Sequence, residues 1–246
     1  MNKRCLNCDR SLSDERFCPD CGQATKLKQI TFRETVGDFL GSMLSLEGSF
    51  PKTIVALCTR PATLFRDYLA GKRMNYYKPV AFFIVTTAIY LLVSSAIGFD
   101  PLRGTRIQLT HEDQVVAQET TARAAIFMVS HINHIMLLLV LSIGFWSRIF
   151  FRKRYNLAEY VAVGFFVTSI YTLFGTITMF FTHWFHTGFK FLNFLFLIIY
   201  ITLVYPPFVQ RQTVWNYFKA WTMACVTLLF YILLGFGFSF LWVSLV

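Results

Sequence analysis

The residues of this chain that could most readily bind a metal ion are four cysteines near the N-terminus, Cys5, Cys8, Cys18 and Cys21. They form two CxxC pairs, CLNC and CPDC, separated by nine residues. Two such pairs can place four thiolates around one tetrahedral Zn²⁺ ion. Because four thiolates leave no coordination position open for water, this zinc would be structural. The pattern therefore predicts a four-cysteine zinc ribbon over residues 1–28, with one Zn²⁺ per chain.

Two disulfides or a redox-active CxxC pair are the alternative interpretations of these cysteines. Disulfides are rare in the reducing cytosol, where the topology predicted below puts this segment. A redox site needs only one pair and normally lies in a βαβ context, which is missing from this part of the sequence. A module of about 22 residues buries too little apolar surface to fold alone, so a metal would supply its folding free energy. We also expect tight turns at Asp9 and Gly22, and Phe17 as the core residue of the ribbon.

The charges of the ribbon alternate in sign, which argues against nucleic-acid binding. Phosphate binding needs a surplus of positive charge. Basic and acidic residues instead interleave here, namely Lys3, Arg4, Arg10 and Arg16 with Asp9, Asp14, Glu15 and Asp20. We therefore expect the ribbon to contact a protein partner or the membrane domain of its own chain.

The histidines could form a second metal site. His131 and His134 are three residues apart and share one helix face, and His183 and His186 repeat that spacing. If the two helices lie side by side, the four imidazoles could bind Zn²⁺ or Cu²⁺. Further ligands in the preceding loop would be His111, Glu112 and Asp113. The alternatives are histidines at the membrane interface, hydrogen-bonded histidines in the core, and a catalytic role.

The composition requires membrane-spanning elements to position these groups. Hydrophobic residues make up 55% of the 246 residues and charged residues 15%, whereas soluble domains carry about a quarter charged residues. Five apolar stretches have roughly the 20 residues that a helix needs to cross a bilayer, and a helix satisfies its own backbone groups there. We therefore predict an all-α integral membrane protein with about five transmembrane helices. The predicted spans are about 79–98, 124–147, 158–182, 189–208 and 219–245.

Basic residues set the predicted orientation. Nineteen of the 23 Lys and Arg residues lie before the first span, between the second and third, or between the fourth and fifth. Because positive residues near spans stay in the cytoplasm, we predict a cytoplasmic N-terminus and an outer C-terminus. The net charge of +10 follows from this topology and from attraction to anionic lipid, and nucleic acid is not needed to explain it. The first 30 residues contain no apolar stretch, so we expect no signal peptide.

Residues 29–78 are predicted to form amphipathic helices at the membrane interface. Thr31 and Glu34 match a capping box, and Pro51 and Pro61 suit the first turns of two further helices. A basic, aromatic collar follows, made of Lys72, Arg73, Tyr76, Tyr77 and Lys78. Each cation near an anionic surface is worth about 1 kcal/mol. The segment would anchor the ribbon against the cytoplasmic face, or alternatively present a surface to anionic lipid head groups or a partner. The remaining domain, 79–246, is the membrane region.

The predicted spans contain no Asp, Glu, Lys or Arg at their middle. Ion-coupled transporters usually need such charged residues within the membrane, so their absence argues against a transporter. The third span carries small residues at four-residue intervals, Gly164, Thr168, Thr172 and Thr176. Small residues on one face let two helices approach closely. We interpret this face as a packing seam, with a hydrophilic path as the alternative.

Two motifs resemble a known family. FCPDCGQ at residues 17–23 and RPATLFRDYLAGKRMNYYKPVAFF at residues 60–83 are similar to an uncharacterised bacterial membrane family called domain of unknown function 3667. Its pattern is an FCxxCGQ ribbon followed by YLxGKRxxYxxP. The matching positions are Phe17, Cys18, Cys21, Gly22, Gln23, Arg66, Tyr68, Leu69, Gly71, Lys72, Arg73, Tyr76 and Pro79. The resemblance implies a bacterial inner-membrane protein and favours zinc, and it implies no reaction or substrate.

These patterns favour a non-enzymatic membrane adaptor or regulator over a catalyst. A structural zinc motif is joined to a membrane region in which we find no nucleophile elbow, phosphate loop, dinucleotide fingerprint or HExxH motif. The first alternative is a small transporter or metal-handling protein that uses the outer histidine pairs. The second is a membrane enzyme that acts on lipid.

Overall fold

The computed structural model describes residues 3–12, 16–24, 49–99, 120, 123–128, 131–152, 154–185 and 190–245. Most of these residues are helical, as the sequence predicts. The capping-box helix expected at Thr31–Glu34 lies outside the described residues.

The chain begins with a small two-stranded ribbon and continues as helices. Strand β1 (Lys3–Arg4) pairs antiparallel with β2 (Ser11–Leu12). Two short helices, α1 (Ser49–Thr59) and α2 (Pro61–Leu69), precede a 3-10 turn at Arg73–Asn75. The longer helices are α3 (Pro79–Ala96), α4 (Ile132–Phe150), α5 (Leu157–Phe185), α6 (Lys190–Phe208) and α7 (Val214–Leu245).

Four helical segments in the described part of the chain are long and apolar enough to cross a membrane. They are Arg73–Ala96, Leu157–Phe185, Phe191–Phe208 and Val214–Leu245, and they fall on the first, third, fourth and fifth predicted spans. The second predicted span, 124–147, falls on helical residues 123–128 and on α4, whose apolar part Ile135–Phe150 is shorter. Helices long and apolar enough to cross a membrane are therefore present at four of the five predicted spans.

The long helices alternate in direction. Phe82 of α3 lies against Phe166 of α5, with ring centroids 6.1 Å apart, so these two helices are level near their N-terminal ends. Helix α4 runs antiparallel to α5, because Val140 lies next to Gly164 and Gly144 next to Val161. We call the end at which α3, α5 and α7 begin the ribbon end, and the opposite end the far end.

Helix α5 is the central helix of the bundle and packs closely on α4. A Cβ added at Gly164 would lie 2.8 Å from the carbonyl oxygen of Val140, so only glycine allows this approach. Thr168 and Thr172 are fully buried, and the Thr172 hydroxyl lies 3.4 Å from the Met136 sulfur. The packing seam predicted along this face is therefore confirmed.

Exposed tryptophans lie near both ends of the bundle. Trp215 and Trp221 are exposed near the start of α7, and Trp184 and Trp242 are exposed near the far end. About 31 Å of helix separates Trp221 from Trp242 at 1.5 Å per residue, close to the thickness of a bilayer core. Tryptophan favours the interface between lipid and water, so this spacing suits a membrane-crossing helix.

Helix α2 packs into the ribbon end of the bundle. Pro61 occupies its first turn, where a missing N–H costs nothing. Leu64 and Phe65 are fully buried, and the Phe65 ring lies 6.1 Å from Phe166 and 5.6 Å from Phe208. The apolar face that the sequence pattern assigns to a membrane interface is thus covered by the protein itself.

Candidate functional site

The two CxxC pairs form a matched pair of backbone turns. The Asp9 amide donates to the Cys5 carbonyl at 2.9 Å, and the Gly22 amide donates to the Cys18 carbonyl at 2.8 Å. Both turns need a left-handed residue, and Asp9 and Gly22 have φ of +59° and +71°. Glycine adopts this conformation freely and aspartate better than most residues, so the turns predicted at these two positions are confirmed.

The turns bring all four sulfur atoms together. The four Sγ atoms lie within 4.8 Å of one another. Two of the separations are 3.5 Å for Cys5–Cys21 and 3.6 Å for Cys8–Cys18, and both join cysteines of different pairs. Four sulfurs at 2.3 Å around a tetrahedral zinc ion would be about 3.8 Å apart. These residues therefore fit a tetrahedral metal ion.

The electrostatics of the cluster also suit a cation. Burial raises the pKa of the Cys5 thiol, but hydrogen bonds from the Cys8 and Asn7 amides outweigh burial and lower it. The Cys21 amide lowers the pKa of Cys18 in the same way. The Arg10 amide lowers the pKa of Cys8, but desolvation and the three neighbouring sulfurs raise it to about 12. Several thiolates this close repel one another, and a divalent ion removes that repulsion.

The core of the ribbon differs from the prediction. Phe17 was expected to fill it, but its side chain is 63% exposed, so that prediction is wrong. Leu12 of β2 is buried instead and packs with Cys5 and Cys18. The two-residue strand explains the difference, because it turns Leu12 inward.

The ribbon contacts the membrane domain near the 3-10 turn. A Cβ added at Gly22 would lie 3.5 Å from the terminal methyl carbon of Met74. Met74 lies in the turn at Arg73–Asn75, just before α3. The second CxxC turn therefore lies against the turn that leads into the membrane domain.

Several collar residues make side-chain contacts with α2, which precedes them in the chain. Lys72 pairs with Asp67 at 3.6 Å, and the Tyr76 hydroxyl donates to the same carboxylate at 3.4 Å. Arg73 lies over the Tyr68 ring, 5.9 Å from its centroid. Tyr77 is buried.

The last collar residue, Lys78, immediately precedes α3 as its N-cap residue. The collar residues, which the sequence predicts to contact lipid head groups, thus lie at the ribbon end. Lys72, Arg73 and Tyr76 also contact other side chains of the protein there.

Helices α1 and α2 are fixed to α6 by long-range hydrogen bonds. The Arg66 guanidinium donates to the carbonyl of Pro207 at 2.9 Å, and the Tyr200 hydroxyl donates to the carbonyl of Leu57 at 3.0 Å. Pro207 lies in the last turn of α6, where carbonyl groups have no partner within the helix, and its carbonyl also accepts from the Gln210 amide at 3.2 Å. A cation is favourable at that end of a helix. Arg66, which is one of the positions of the family pattern, therefore holds α2 against the end of α6.

The predicted four-histidine site is described only in part. The His131 Nδ1 lies 3.1 Å from the Phe127 carbonyl oxygen, and its ring stacks on Phe127. His183 lies in the last turn of α5, which is adjacent and antiparallel to α4 as the site requires. The register of Val140 with Gly164 and of Gly144 with Val161 puts His183 about 14 Å further along the axis than the α5 position level with His131.

The remaining histidine ligands lie outside the described part of the chain. They are the His134 side chain, His186, His111, Glu112 and Asp113. The second metal site therefore stays a prediction.

One cavity at the ribbon end was missed by the sequence reasoning. It lies between the α4–α5 and α6–α7 connections and is lined by Arg152, Arg154, Arg211 and Lys219 among other residues. The sequence analysis used these cations only to predict orientation. Two basic clusters on loops of the same predicted side were the available signal, but the pairing of those loops needed the fold.

One part of the chain matches a known protein family. Residues 47–91 match the family model described as Protein of unknown function (DUF3667), so the resemblance is confirmed for α1, α2, the collar and most of α3. The cysteine ribbon lies outside the matched range. No curated protein and no solved structure matches the chain.

Proposed function

We propose that this protein is a non-enzymatic adaptor or regulator of a bacterial inner membrane, whose zinc ribbon docks on its own membrane domain. Zn²⁺ held by Cys5, Cys8, Cys18 and Cys21 would fix the ribbon, and the helices long and apolar enough to cross a bilayer support a membrane context. Zinc is the ion best suited to four thiolates in tetrahedral geometry. Release of the ribbon from the membrane domain would be the regulated step.

The proposed topology has five crossings and a cytoplasmic N-terminus. Helix α3 ends at the far end and α5 begins at the ribbon end, so the chain between them has to return along the bundle, and α4 with residues 123–128 follows that path. The excess of Lys and Arg on the ribbon side supports a cytoplasmic ribbon.

The contact of Gly22 with Met74 carries the proposal of docking. A ribbon that served only an outside partner would have no reason to place a CxxC turn next to Met74, in the turn that leads into α3. Half of the Met74 side chain is exposed, and methionine is a flexible residue that suits reversible contacts. The ribbon charges favour this arrangement over nucleic acid, because Arg10 is paired with Asp20.

Docking can be tested by cross-linking in the full-length protein. A photo-reactive amino acid in place of Met74 should cross-link to the peptide of residues 16–24 when zinc is bound. The double substitution Cys5→Ser with Cys8→Ser should remove that product, because the turns lose their shape. The same photo-reactive residue in place of Leu92, which is exposed on α3, is the matched control and should give no ribbon product. Equal cross-linking with and without the zinc ligands would contradict docking of a folded ribbon.

Orientation can be tested with a thiol reagent that does not cross membranes. A cysteine introduced at Leu245, exposed at the end of α7, should be labelled from outside intact cells. The native Cys58, exposed in α1 at the ribbon end, should be labelled only after lysis. Labelling of Cys58 in intact cells would reverse the proposed topology.

A further inference from the structure

The cavity at the ribbon end, which we call the basic pocket, combines a cationic rim with an apolar wall. Its volume is about 360 Å³, and its polar lining is Arg152, Arg154, Arg211, Lys219 and Asn216. The rest of its lining comes from the end of α4 and the connection after α6, at Ile149, Phe150, Phe151 and Val209. None of the described lining residues is acidic. The pocket is thus shaped for an anion that also has an apolar part.

Hydrogen bonds hold the α4–α5 side of the pocket in place. The Tyr160 hydroxyl donates to the Phe151 carbonyl at 2.8 Å, and the buried Phe151 ring lies 5.8 Å from Tyr205. The Lys219 ammonium lies over the face of Phe151, 5.3 Å from its centroid. Phe151 therefore fixes both the wall and one cation of the rim.

The α6–α7 side is formed by a tight turn. Gln210 has φ of +56°, and the Arg211 amide donates to the Pro206 carbonyl at 3.0 Å. The Gln210 side chain accepts a hydrogen bond from Arg154, which joins the two connections across the pocket. This turn brings Arg211 to the same cavity as Arg152 and Arg154.

The charges of the pocket are not neutralised within the described part of the chain. Its three arginines and one lysine make no ion pair there, whereas Lys72 of the collar pairs with Asp67. Like charges around one small cavity repel one another, and an anion in the cavity would remove that repulsion. The planar guanidinium group binds phosphate through two parallel hydrogen bonds, and Lys219 adds a point charge.

We propose that the basic pocket binds the phosphate group of an anionic membrane phospholipid. Ile149 and Phe145 are exposed on the outer face of α4, so the apolar wall continues toward the surface that lipid chains would cover. Basic pockets between transmembrane helices bind such head groups on the cytoplasmic side of membranes. This inference does not depend on zinc or on docking of the ribbon.

The test compares lipid retention by full-length variants in detergent. The protein is incubated with micelles that contain phosphatidylglycerol and phosphatidylcholine, and bound lipid is measured by native mass spectrometry. The double variant Arg152→Gln with Arg211→Gln should retain about tenfold less phosphatidylglycerol than the wild type. The variant Lys52→Gln with Arg60→Gln loses the same charge at the ribbon end outside the pocket and should bind as the wild type does.

A second arm distinguishes lipid from free phosphate. Inorganic phosphate is titrated into the protein in zwitterionic detergent, against chloride at equal ionic strength. Suppose that the wild type binds inorganic phosphate, that the pocket variant fails to bind it, and that neither prefers phosphatidylglycerol over phosphatidylcholine. That result would keep a phosphate site in the basic pocket but overturn the proposal that the phosphate belongs to a lipid. If the pocket variant binds phosphatidylglycerol as well as the wild type does, and also binds inorganic phosphate as well, the proposal is overturned. If the double variant does not fold, the single variant Lys219→Gln gives the same comparison with a smaller expected loss.

Discussion

The ribbon and the helical bundle of this protein are stabilised by different interactions. In the described part of the ribbon the apolar cluster consists of Cys5, Leu12 and Cys18, with Cys21 packed against it. In the bundle, a continuous apolar cluster joins α1 to α7, and many of its contacts are between aromatic rings. We expect a ribbon with so small a core to depend on a bound metal ion for its fold, whereas the bundle depends on packing and on hydrogen bonds between its helices. Perturbations of one region should therefore leave the other intact.

The largest effect is expected from loss of a zinc ligand. We expect Cys18→Ser to abolish zinc binding and unfold the ribbon, because zinc binding to such sites supplies about 10–16 kcal/mol. The bundle should keep its helix content and its unfolding midpoint. Zinc content by elemental mass spectrometry and hydrogen exchange of residues 16–24 would measure both.

The matched control for this substitution is Cys58→Ser, in an exposed cysteine of α1. It should leave one zinc ion per chain. Zinc retained by Cys18→Ser, or lost with Cys58→Ser, would remove the four-cysteine site on which the comparison of the two regions depends.

The opposite perturbation is a methyl group in the α4–α5 interface. We expect Gly164→Ala to destabilise the bundle by about 1–3 kcal/mol, since its Cβ would lie 2.8 Å from the Val140 carbonyl oxygen and force the helices apart. Zinc content should not change. Unfolding in mixed detergent micelles measures the loss of stability.

Gly175→Ala is the control in the same helix, because a Cβ there meets nothing within 4 Å. It should be neutral or slightly stabilising through helix propensity. If both substitutions cost the same, the close approach of α4 and α5 at Gly164 is not a source of stability.

A smaller effect is expected from the buried polar pair at the ribbon end of the bundle. The Ser147 and Tyr205 hydroxyls are 2.7 Å apart and shielded from water. Ser147→Ala should cost about 1 kcal/mol, because it leaves the Tyr205 hydroxyl without this partner. Adding Tyr205→Phe should restore part of the loss, and a double-mutant cycle measures the coupling. Strictly additive effects would show that the pair contributes nothing specific.

Much of the fold was predictable because its signals are local. Apolar length gave the helices, and CxxC spacing gave the cluster of four sulfurs. The left-handed turns at Asp9 and Gly22 followed from residue type. The four-residue spacing of Gly164 and Thr172 predicted the α5 seam correctly.

The remaining features depend on contacts between distant segments, which a hydrophobic pattern does not encode. The apolar face of α2 has the same pattern whether lipid or protein covers it, and only the fold places Phe65 against Phe208. Phe17 directly precedes Cys18, whereas Leu12 is four positions from the nearest cysteine, and it is the strand pairing that buries Leu12. The basic pocket needs residues from two connections some 60 positions apart, such as Arg152 and Arg211.

The smallest predicted effect tests how finely the ribbon depends on its turns. Asp9 and Gly22 occupy equivalent left-handed positions, so opposite substitutions should change zinc affinity in opposite directions. Gly22→Ala should weaken binding by about 1 kcal/mol, roughly fivefold, through backbone strain, because the Met74 carbon at 3.5 Å leaves room for the added methyl group. Asp9→Gly should tighten it by about 0.5 kcal/mol, since relief of strain exceeds the extra freedom of glycine in the unfolded chain. Competition with a chelator measures the zinc affinity of both variants. If both substitutions weaken zinc binding, or both strengthen it, the two turns do not contribute to the metal site in the same way.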